Sequence, residues 1–364
     1  MQNMNRKPQR LNRRSMLKIA GSVAGALALA PLVSVRAARA GARANARANK
    51  VEFAEDPLPP QPPPATLGRV ASWAVDIYES PTRKSKLVRK ARRDEVFPLR
   101  EQVAGEAVMS HNIFWFKLDE GYAYSSWIQP VEEIFNTPEP ERAKERFWGE
   151  LTVPLSDSRL LPDPKAGRST RLYYTGVFRV IDAALGPDEQ WWYRLQEGVT
   201  YSPGPWAPAA HIRRFDPSEL TPLSPEVEDK QIQVDLKQQT ITALEHGEPV
   251  LTSRVASGYG SFRTPMGTHK VLYKYPTARM IGGSGSDAYD LPGVAFPTFI
   301  TWSGVAIHGT YWHNDYGRPR SHGCLNVPSP IARWFWRWTA PVAPYDAATF
   351  YTPRGAAATT VVVF

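Results

Sequence analysis

The chain has 364 residues and a formal net charge of +9, from 44 lysine and arginine and 35 aspartate and glutamate residues. Positions 1–40 hold eight basic and no acidic residues, so the rest is close to neutral, with 36 basic and 35 acidic residues. A nucleic-acid-binding protein carries a basic stripe on its folded part, and no nucleic-acid partner is expected here. After position 40 the chain is long enough for two or three cores, at roughly 100–200 residues per domain.

The first 40 residues have the composition of an export signal. Arg13 and Arg14 precede an alanine-rich apolar run at 19–33, and small residues at 38–40 suit cleavage by a signal peptidase. This segment resembles a twin-arginine signal, which predicts export by the twin-arginine route to the cell envelope or cell wall. The apolar run is shorter than the roughly 20 residues that span a bilayer, so cleavage is favoured over a membrane anchor.

Residues 41–66 predict a linker. They include Pro-Leu-Pro-Pro-Gln-Pro-Pro-Pro at 57–64 and lack the apolar periodicity that builds a core. Such a segment is extended and semi-rigid. The alternative is a proline-rich ligand for a partner domain.

Two segments that follow, 67–133 and 147–217, look like one unit used twice. Each has a strand of aromatic residues, around Trp115 in the first and Trp192 in the second, then a Glu-Gly turn and another short strand. Several short strands in about 65 residues indicate small β-barrels. The shared Trp-x-x-Leu-x-x-Gly pattern resembles bacterial SH3-type modules, which commonly dock exported proteins onto cell-wall peptides. Alternatively, the tryptophans are core residues and the modules only pack against the catalytic domain.

The segment 227–364 begins with a predicted antiparallel meander. Apolar and polar residues alternate at 230–236 and 239–245, and a His-Gly turn then leads to a third strand. Glycines at 282–293 have the composition of a loop that covers a site. An aromatic run at 334–338 suggests peripheral contact with a membrane surface, whereas an amphipathic helix packed on the domain is the more frequent explanation.

The one cysteine of the chain, Cys324, lies in Ser-His-Gly-Cys-Leu-Asn at 321–326, downstream of His308 in Ile-His-Gly-Thr. The reactive form of cysteine is the thiolate, which a neighbouring imidazole can create or stabilise. A single cysteine in an exported chain can only bridge to another molecule or stay free, and a free thiol in an oxidising compartment indicates chemistry.

Two structural explanations of this cysteine are weaker. A zinc site would combine the following residues: Cys324, His308, His313 and His322. No Cys-x-x-Cys or His-x-x-x-His pair supports it, and no metal or cofactor is expected. A buried inert thiol is the ordinary fate of a free cysteine, but a glycine and a histidine beside the thiol argue against an apolar environment.

Four motifs stand in the order and spacing of the L,D-transpeptidase catalytic domain, the YkuD-like family, and they lie at 232–245, 264–267, 308–310 and 321–326. The resemblance covers about 227–364 and ends in a helix near 330–338 and a strand at 359–363. It implies a mainly β protein in which two SH3-like barrels precede a β-rich, sandwich-like catalytic domain. The implied activity forms or remodels peptidoglycan cross-links, with peptidoglycan stem peptides as partners.

The resemblance also implies roles for particular residues. Cys324 would be the nucleophile that holds the acyl group as a thioester, and His308 the base. The backbone carbonyl of Gly309 would hold the other ring nitrogen of His308. The backbone N–H groups of His322, Gly323 and Cys324 would face the oxyanion. His322 is the second choice as base, because it lies two residues before Cys324 on an extended segment.

Further residues are expected to bind substrate or to fix the loop, namely Ser321, Asn326, Thr310, Arg318 and Arg320. The two arginines could meet a substrate carboxylate. Four other histidines lack such neighbours in sequence and are expected at the surface or in turns, namely His111, His211, His246 and His269.

Two classes of function follow. The first is an L,D-transpeptidase, and the second is a wall-binding protein whose catalytic domain is inactive. The intact motif around the free thiol favours the enzyme. Within the enzyme class, an L,D-carboxypeptidase would use the same thioester with water as the acceptor, and the sequence does not separate these two reactions.

Overall fold

A computed structural model describes residues 67–196 and 204–364, which are mainly β-strand with two short α-helices. These residues fall within one compact unit, 56–364. The signal expected at 1–40 and the linker expected at 41–66 lie outside the described residues. No helix in the described ranges is long and apolar enough to span a bilayer.

Eight short strands make up the first expected module. They are β1 (Leu67–Val70), β2 (Ala74–Tyr78), β3 (Leu87–Arg92), β4 (Val96–Pro98), β5 (Glu101–Met109), β6 (Asn112–Lys117), β7 (Tyr122–Tyr124) and β8 (Ile128–Val131). They form two antiparallel sheets with strand orders β4-β1-β8 and β3-β2-β7-β6-β5. Trp115 on β6 is fully buried, and its Nε1 donates to the backbone oxygen of Glu106 at 2.9 Å.

A single sheet makes up the second expected module. After the short helix α1 (Pro140–Ala143), its strands are β9 (Phe147–Leu151), β10 (Leu155–Arg159), β11 (Arg168–Tyr173), β12 (Val177–Leu185), β13 (Trp191–Gln196), β14 (Trp206–Pro208) and β15 (Ile212–Arg214). Their order is β11-β10-β14-β13-β12-β9-β15. Within the described ranges, the strands of neither module close into a barrel.

The two modules repeat one arrangement. In each, a long bulged strand pairs with the aromatic strand, and a short strand, a 3-10 turn and a final strand follow. The 3-10 turns are Ser125–Trp127 in the first and Ala209–His211 in the second. This common order supports the duplication inferred from sequence, while the SH3-like identity of the modules stays a prediction.

Two five-stranded sheets and a hairpin form the remaining segment. Its elements are β16 (Lys230–Asp235), β17 (Thr240–Glu245), β18 (Glu248–Arg254), β19 (Gly267–Lys270), β20 (Tyr273–Lys274), β21 (Thr277–Gly282), β22 (Tyr289–Ala295), β23 (Thr298–Phe299), β24 (Ala306–Gly309), β25 (Leu325–Val327), α2 (Ser329–Trp338), β26 (Phe350–Tyr351) and β27 (Thr360–Val363). The sheet orders are β18-β17-β16-β27-β19 and β25-β24-β23-β20-β26, and β21 pairs with β22.

The meander predicted at the start of this segment is confirmed by β16, β17 and β18, which pair in antiparallel order. The turn between β17 and β18 has positive φ at both central residues, 53° at His246 and 85° at Gly247. Such a turn matches the twist of the two strands that it joins. The final strand, β27, lies inside the sheet, where it pairs in parallel with β16 and antiparallel with β19.

Helix α2 confirms the helix predicted near 330–338 and buries most of its aromatic run. Phe335, Trp336 and Trp338 are buried in the core, and the ring of Trp334 stacks on Trp338 at 5.2 Å. These side chains therefore hold the helix against the sheets and are not presented to a membrane surface. The structure fits the explanation that the aromatic run belongs to an amphipathic helix packed on the domain. It gives no support to contact of the run with a membrane surface.

Two buried lysines satisfy the carboxyl end of α2. Nζ of Lys274 donates to the backbone oxygens of Trp336 at 3.0 Å and Thr339 at 2.5 Å, and Nζ of Lys230 donates to that of Trp338 at 2.9 Å. The last carbonyl groups of a helix have no partner within the helix and carry partial negative charge, so the two amino groups stabilise this end. Burial lowers the pKa of Lys274 well below its usual value.

The second module shares a hydrophobic core with the segment that follows it. Trp148, Val177 and Phe215 belong to the same buried cluster as Phe296, and the rings of Phe215 and Phe296 meet edge to face at 5.7 Å. Nε1 of Trp148 also donates to the backbone oxygen of Tyr345 at 2.7 Å. Trp148, Trp192 and Trp206 of this module are buried, which fits the packing alternative.

Candidate active site

The parallel strands β24 and β25 bring the two sequence motifs together. Ile307 lies opposite Leu325 in their register. Cys324 directly precedes β25, and this register places it beside Ala306 of β24. Alternate residues of a strand share a face, so the side chains of Cys324 and His308 lie on the same face of this sheet.

The thiol of Cys324 is enclosed although the residue is only partly buried. Sγ lies 3.6 Å from the backbone oxygen of Gly304, which can accept the thiol hydrogen. Burial raises the pKa of Cys324 to about 11, and the N–H of Ala306 partly opposes this rise. At neutral pH the resting protein therefore holds a thiol and not a thiolate.

His308 is held as a neutral imidazole with one free lone pair. Its Nδ1 lies 3.0 Å from the backbone oxygen of Gly309. A carbonyl oxygen only accepts, so Nδ1 carries the proton and Nε2 is left as the basic atom. Burial lowers the pKa of His308 to about 4, despite the opposing effect of the Gly309 carbonyl.

The loop before Cys324 is fixed by Ser321. Oγ of Ser321 donates to the backbone oxygen of Cys324 at 2.5 Å and accepts from the N–H of Gly323 at 3.1 Å. Gly323 has φ of +112°, a backbone conformation that favours glycine. Its N–H was expected to face the oxyanion but is already engaged. Within the described ranges, the backbone N–H groups of His322 and Cys324 remain without an acceptor.

His322 is surrounded by aromatic rings. Its ring centroid lies 4.4 Å from Phe262, 5.2 Å from Tyr289 and 5.8 Å from Tyr259. Its Nε2 is buried and has no hydrogen-bond partner in the described part of the chain. Unlike His308, it lacks an acceptor that would fix its tautomer.

The hairpin β21–β22 supplies the covering segment that the glycines predicted. Tyr289, the first residue of β22, contacts His322 from this hairpin. Burial raises the pKa of Tyr289, and the charge of a Cys324 thiolate would raise it further. The hairpin thus contributes, through Tyr289, to the wall of the candidate site beside His322.

The two arginines expected to meet a substrate carboxylate are engaged by an internal one. Nε of Arg318 lies 2.5 Å and Nη1 of Arg320 lies 2.9 Å from Oδ2 of Asp315, which is fully buried. Burial raises the pKa of Asp315, but the two guanidinium groups outweigh this and hold it below its usual value. Both arginine side chains remain partly exposed, and their contact with a substrate carboxylate stays a prediction.

The same carboxylate binds the first module. Nε2 of His111 lies 2.8 Å from Oδ1 of Asp315, so this histidine is not the isolated surface residue that was expected. Asn314 adds two contacts, its backbone N–H to the oxygen of Ser126 at 3.2 Å and its side chain to the oxygen of Ser125 at 3.3 Å. The segment between the two motifs is thus held by residues about 200 positions earlier in the chain.

Asn326 contacts a histidine and not the reacting groups. Its side-chain amide lies 3.0 Å from Nε2 of His313, and Nδ1 of His313 accepts from the N–H of Asp315 at 3.1 Å. A neutral ring that accepts at Nδ1 carries its proton at Nε2, so the atom of Asn326 that faces it is the carbonyl oxygen. Thr310, which follows β24, is buried.

Metal ligation finds no support in this geometry. In the ranges that the structure describes, no group of three or more histidine, cysteine, aspartate or glutamate side chains could hold a metal ion. Of the four residues of the zinc alternative, His313 has both ring nitrogens engaged by protein partners, Asp315 and Asn326. The arrangement around Cys324 instead combines a thiol, a neutral base and two free N–H donors.

Residues 229–363 match the family described as YkuD, the L,D-transpeptidase catalytic domain. This range contains Cys324, His308 and both motifs, and it agrees with the expected domain at 227–364. No curated protein matches the chain.

Solved structures of L,D-transpeptidases are also similar in part. A mutant of the Enterococcus faecium enzyme is 28% identical over 38% of this chain and 50% of its own, with a TM-score of 0.30. The E. faecium catalytic domain is 27% identical over 38% of this chain and 98% of its own, with a TM-score of 0.29. The Mycobacterium smegmatis enzyme is 18% identical over 48% of this chain and 90% of its own, with a TM-score of 0.32. The chain spans about half the length of the first structures that it matches.

The raised pKa of Cys324 predicts how alkylation of the thiol depends on pH. The rate of carboxamidomethylation by iodoacetamide should rise about tenfold per pH unit from pH 7 to pH 10, because only the thiolate reacts. Intact-mass spectrometry would measure the rate, with glutathione as the control thiol that levels off above its ordinary pKa. A plateau near neutral pH would show a preformed thiolate, and it would contradict the conclusion that Cys324 and His308 are both uncharged at rest.

The contact between His111 and Asp315 predicts a local effect of the first module. The substitution His111→Ala should speed amide hydrogen exchange in 311–320 by roughly 5- to 150-fold, since a buried carboxylate loses one hydrogen-bond partner. Exchange followed by mass spectrometry would locate the change. The matched control is His246→Ala at an exposed turn. Equal exchange in both variants would show that His111 does not hold the segment.

Proposed function

We propose that the segment 229–363 is a cysteine acyltransferase that acts on peptidoglycan stem peptides, an L,D-transpeptidase. The observation that carries this proposal is the shared sheet face of Cys324 and His308, with Nδ1 of His308 directed to the oxygen of Gly309. The family match over the same residues supports the choice of substrate. A nucleophile, an oriented base and free N–H donors are what acyl transfer needs.

In the proposed reaction, Sγ of Cys324 attacks the carbonyl carbon of the third residue of a donor stem. Nε2 of His308 takes the thiol proton as the carbon–sulfur bond forms, and the N–H groups of His322 and Cys324 stabilise the oxyanion. Collapse of the tetrahedral intermediate breaks the amide bond, and His308 returns the proton to the leaving amine. The amine of an acceptor stem then attacks the thioester, and the thiol is regenerated.

The resting protonation states support proton transfer during attack. Burial raises the pKa of Cys324 to about 11 and lowers the pKa of His308 to about 4, so the neutral pair is the stable form before substrate binds. His308 is favoured over His322 as the base, because Gly309 orients the ring of His308. His322, which lies among aromatic rings, contributes mainly to the shape of the site.

We also propose that the accessory modules are SH3-like and that they position the catalytic segment. Their contacts with Asp315, Asn314 and the shared core support this role. Binding of the modules to the cell wall stays a separate prediction.

For the whole protein, the composition of residues 1–40 supports export by the twin-arginine route to the cell envelope.

Substitutions at three positions test the mechanism. Cys324→Ala should abolish product, and His308→Ala should lower the rate of acylation by roughly 10²–10⁴-fold, the usual contribution of a general base. His322→Ala should have a smaller effect. Product would be measured by mass spectrometry with isolated muropeptides, and acylation by the covalent adduct of a carbapenem with Cys324.

Each result has a defined meaning. Cross-linking by Cys324→Ala would refute the mechanism, and a larger loss of acylation at His322 would reverse the assignment of the base. Cross-linked dimers identify an amine acceptor. Shortened stems without dimers identify water as the acceptor, and the protein would then be an L,D-carboxypeptidase.

Export can be tested by changing the arginine pair alone. Replacement of Arg13 and Arg14 by lysine should leave the precursor in the cytoplasm with its signal attached, because the twin-arginine route depends on both guanidinium groups. Cell fractionation with an antibody would show the size and location of the protein. Mature protein outside the cytoplasm in this variant would indicate the general secretory route.

A further inference from the structure

A row of side chains crosses the sheet β25-β24-β23-β20-β26, from Cys324 at one edge to β26 at the other edge. Cys324 lies beside Ala306, Ala306 is opposite Phe299, Phe299 is opposite Tyr273, and Tyr273 is opposite Tyr351. Residues directly opposite each other on paired strands share a face. The aromatic residues of this row therefore continue the face that carries the thiol.

These residues form an aromatic platform, defined here as Phe299, Tyr273, Trp302 and Tyr351. The ring of Tyr273 stacks on Phe299 at 4.2 Å and on Trp302 at 5.5 Å, with interplanar angles of 15° and 21°. The rings of Trp302 and Tyr351 are also within 15° of parallel. Tyr273 and Phe299 are buried, whereas Trp302 is 71% and Tyr351 52% exposed.

Contacts with neighbouring tyrosines hold both exposed rings of the platform in place. The hydroxyl of Tyr351 lies 3.2 Å from that of Tyr275, which fixes one exposed ring, and Trp302 rests on a buried tyrosine. Its four side chains carry no charge at neutral pH. An exposed, flat and uncharged aromatic surface beside a catalytic site suits a ligand that presents apolar C–H groups on the face of a ring.

The platform lies at a defined distance from the thiol. Neighbouring strands are about 4.8 Å apart, and Tyr273 is three strands from Cys324, so their backbones are about 14 Å apart. Trp302 lies closer to Cys324 than Tyr273 does, because it is two residues before Gly304, and the backbone oxygen of Gly304 contacts Sγ of Cys324. Three extended residues span about 10–11 Å. With the third stem residue at Sγ, the lactyl group and sugar at the other end of the stem would reach the platform.

We propose, resting on the proposed function, that this platform binds the glycan of the donor, a β-1,4-linked chain of N-acetylated amino sugars. The ring faces of such sugars are apolar and largely uncharged, which complements stacked aromatic rings. Trp302 and Tyr351 supply the exposed surface, and Tyr273 and Phe299 support it. The enzyme would then recognise its donor at two points, the stem peptide at Cys324 and the sugar at the platform.

Kinetics with two donors test this site. The donors are a disaccharide tetrapeptide and the same tetrapeptide without sugar. Trp302→Ala should raise KM for the disaccharide donor by roughly 2- to 10-fold, the contribution of one aromatic contact, and leave KM for the sugar-free donor unchanged. Tyr351→Ala should act in the same direction. The matched control is Trp73→Ala, at an 85% exposed tryptophan of the first module.

An equal loss with both donors, or no change with either, would overturn the sugar site. Thermal unfolding of each variant shows whether the fold is intact. If Trp302→Ala does not fold, Trp302→Leu, which keeps an apolar side chain without the flat ring, should give the same selective rise in KM.

A binding measurement separates this proposal from the proposed function. Calorimetry would follow a peptide-free oligomer of β-1,4-linked N-acetylglucosamine added to Cys324→Ala protein, which cannot turn over. Saturable binding that is lost with Trp302→Ala and kept with Trp73→Ala supports the sugar site even if the wild-type protein transfers no acyl group. Absence of binding by the parent, or binding that survives Trp302→Ala, overturns the sugar site even if the transferase activity is present.

Discussion

The parallel pairing of β24 with β25 is the constraint on which the rest of the site depends. It places Cys324 and His308 on one face of a sheet, and it also requires a long connection, because two parallel strands cannot be joined by a tight turn. That connection, 310–324, must satisfy its own polar groups where it passes through the protein. The buried carboxylate of Asp315 does this, with Arg318 and Arg320 on one oxygen and His111 on the other. Because one partner comes from the first module, the geometry between the two motifs depends on residues outside the matched domain.

Burial acts in opposite directions on the acid and the base of the site. It raises the pKa of Cys324 and lowers the pKa of His308, so each group is uncharged at rest. In the proposed reaction, charge would appear only when a substrate carbonyl can accept it, close to N–H donors that need no reorganisation. The same environment would also protect a free thiol in an oxidising compartment, since oxidants attack the thiolate more readily than the thiol. A resting pair of neutral groups is therefore consistent with both slow side reactions and acyl transfer.

Local patterns allowed much of the fold and part of the site to be predicted from sequence. Alternating residues predicted the meander, the aromatic run predicted helix α2, and the two motifs singled out Cys324 and His308 because their neighbours in sequence are informative. Contacts between distant positions could not be predicted in this way. The ion pairs of Arg318 and Arg320 are an example, since no pattern shows that Asp315 is buried beside them. Among the residues that the structure describes, the strands of the expected barrels do not close, and closure could not be predicted for a similar reason, because it depends on pairing between edge strands and not on strand content.

Arg69 shows why polar contacts suit the junction between the modules and the catalytic segment. This buried guanidinium donates to Gln129, to Asp94 at 2.8 Å and to the backbone oxygen of Tyr311 at 2.5 Å, and it lies 4.3 Å from the ring centroid of Tyr173. Its donors have fixed directions, so these four contacts are satisfied together only in one relative placement of the first module, the second module and the segment after His308. Apolar packing alone tolerates small shifts, whereas an unpaired buried charge does not. The modules thus define where the catalytic segment lies, and any binding of the cell wall by them has to use their other faces.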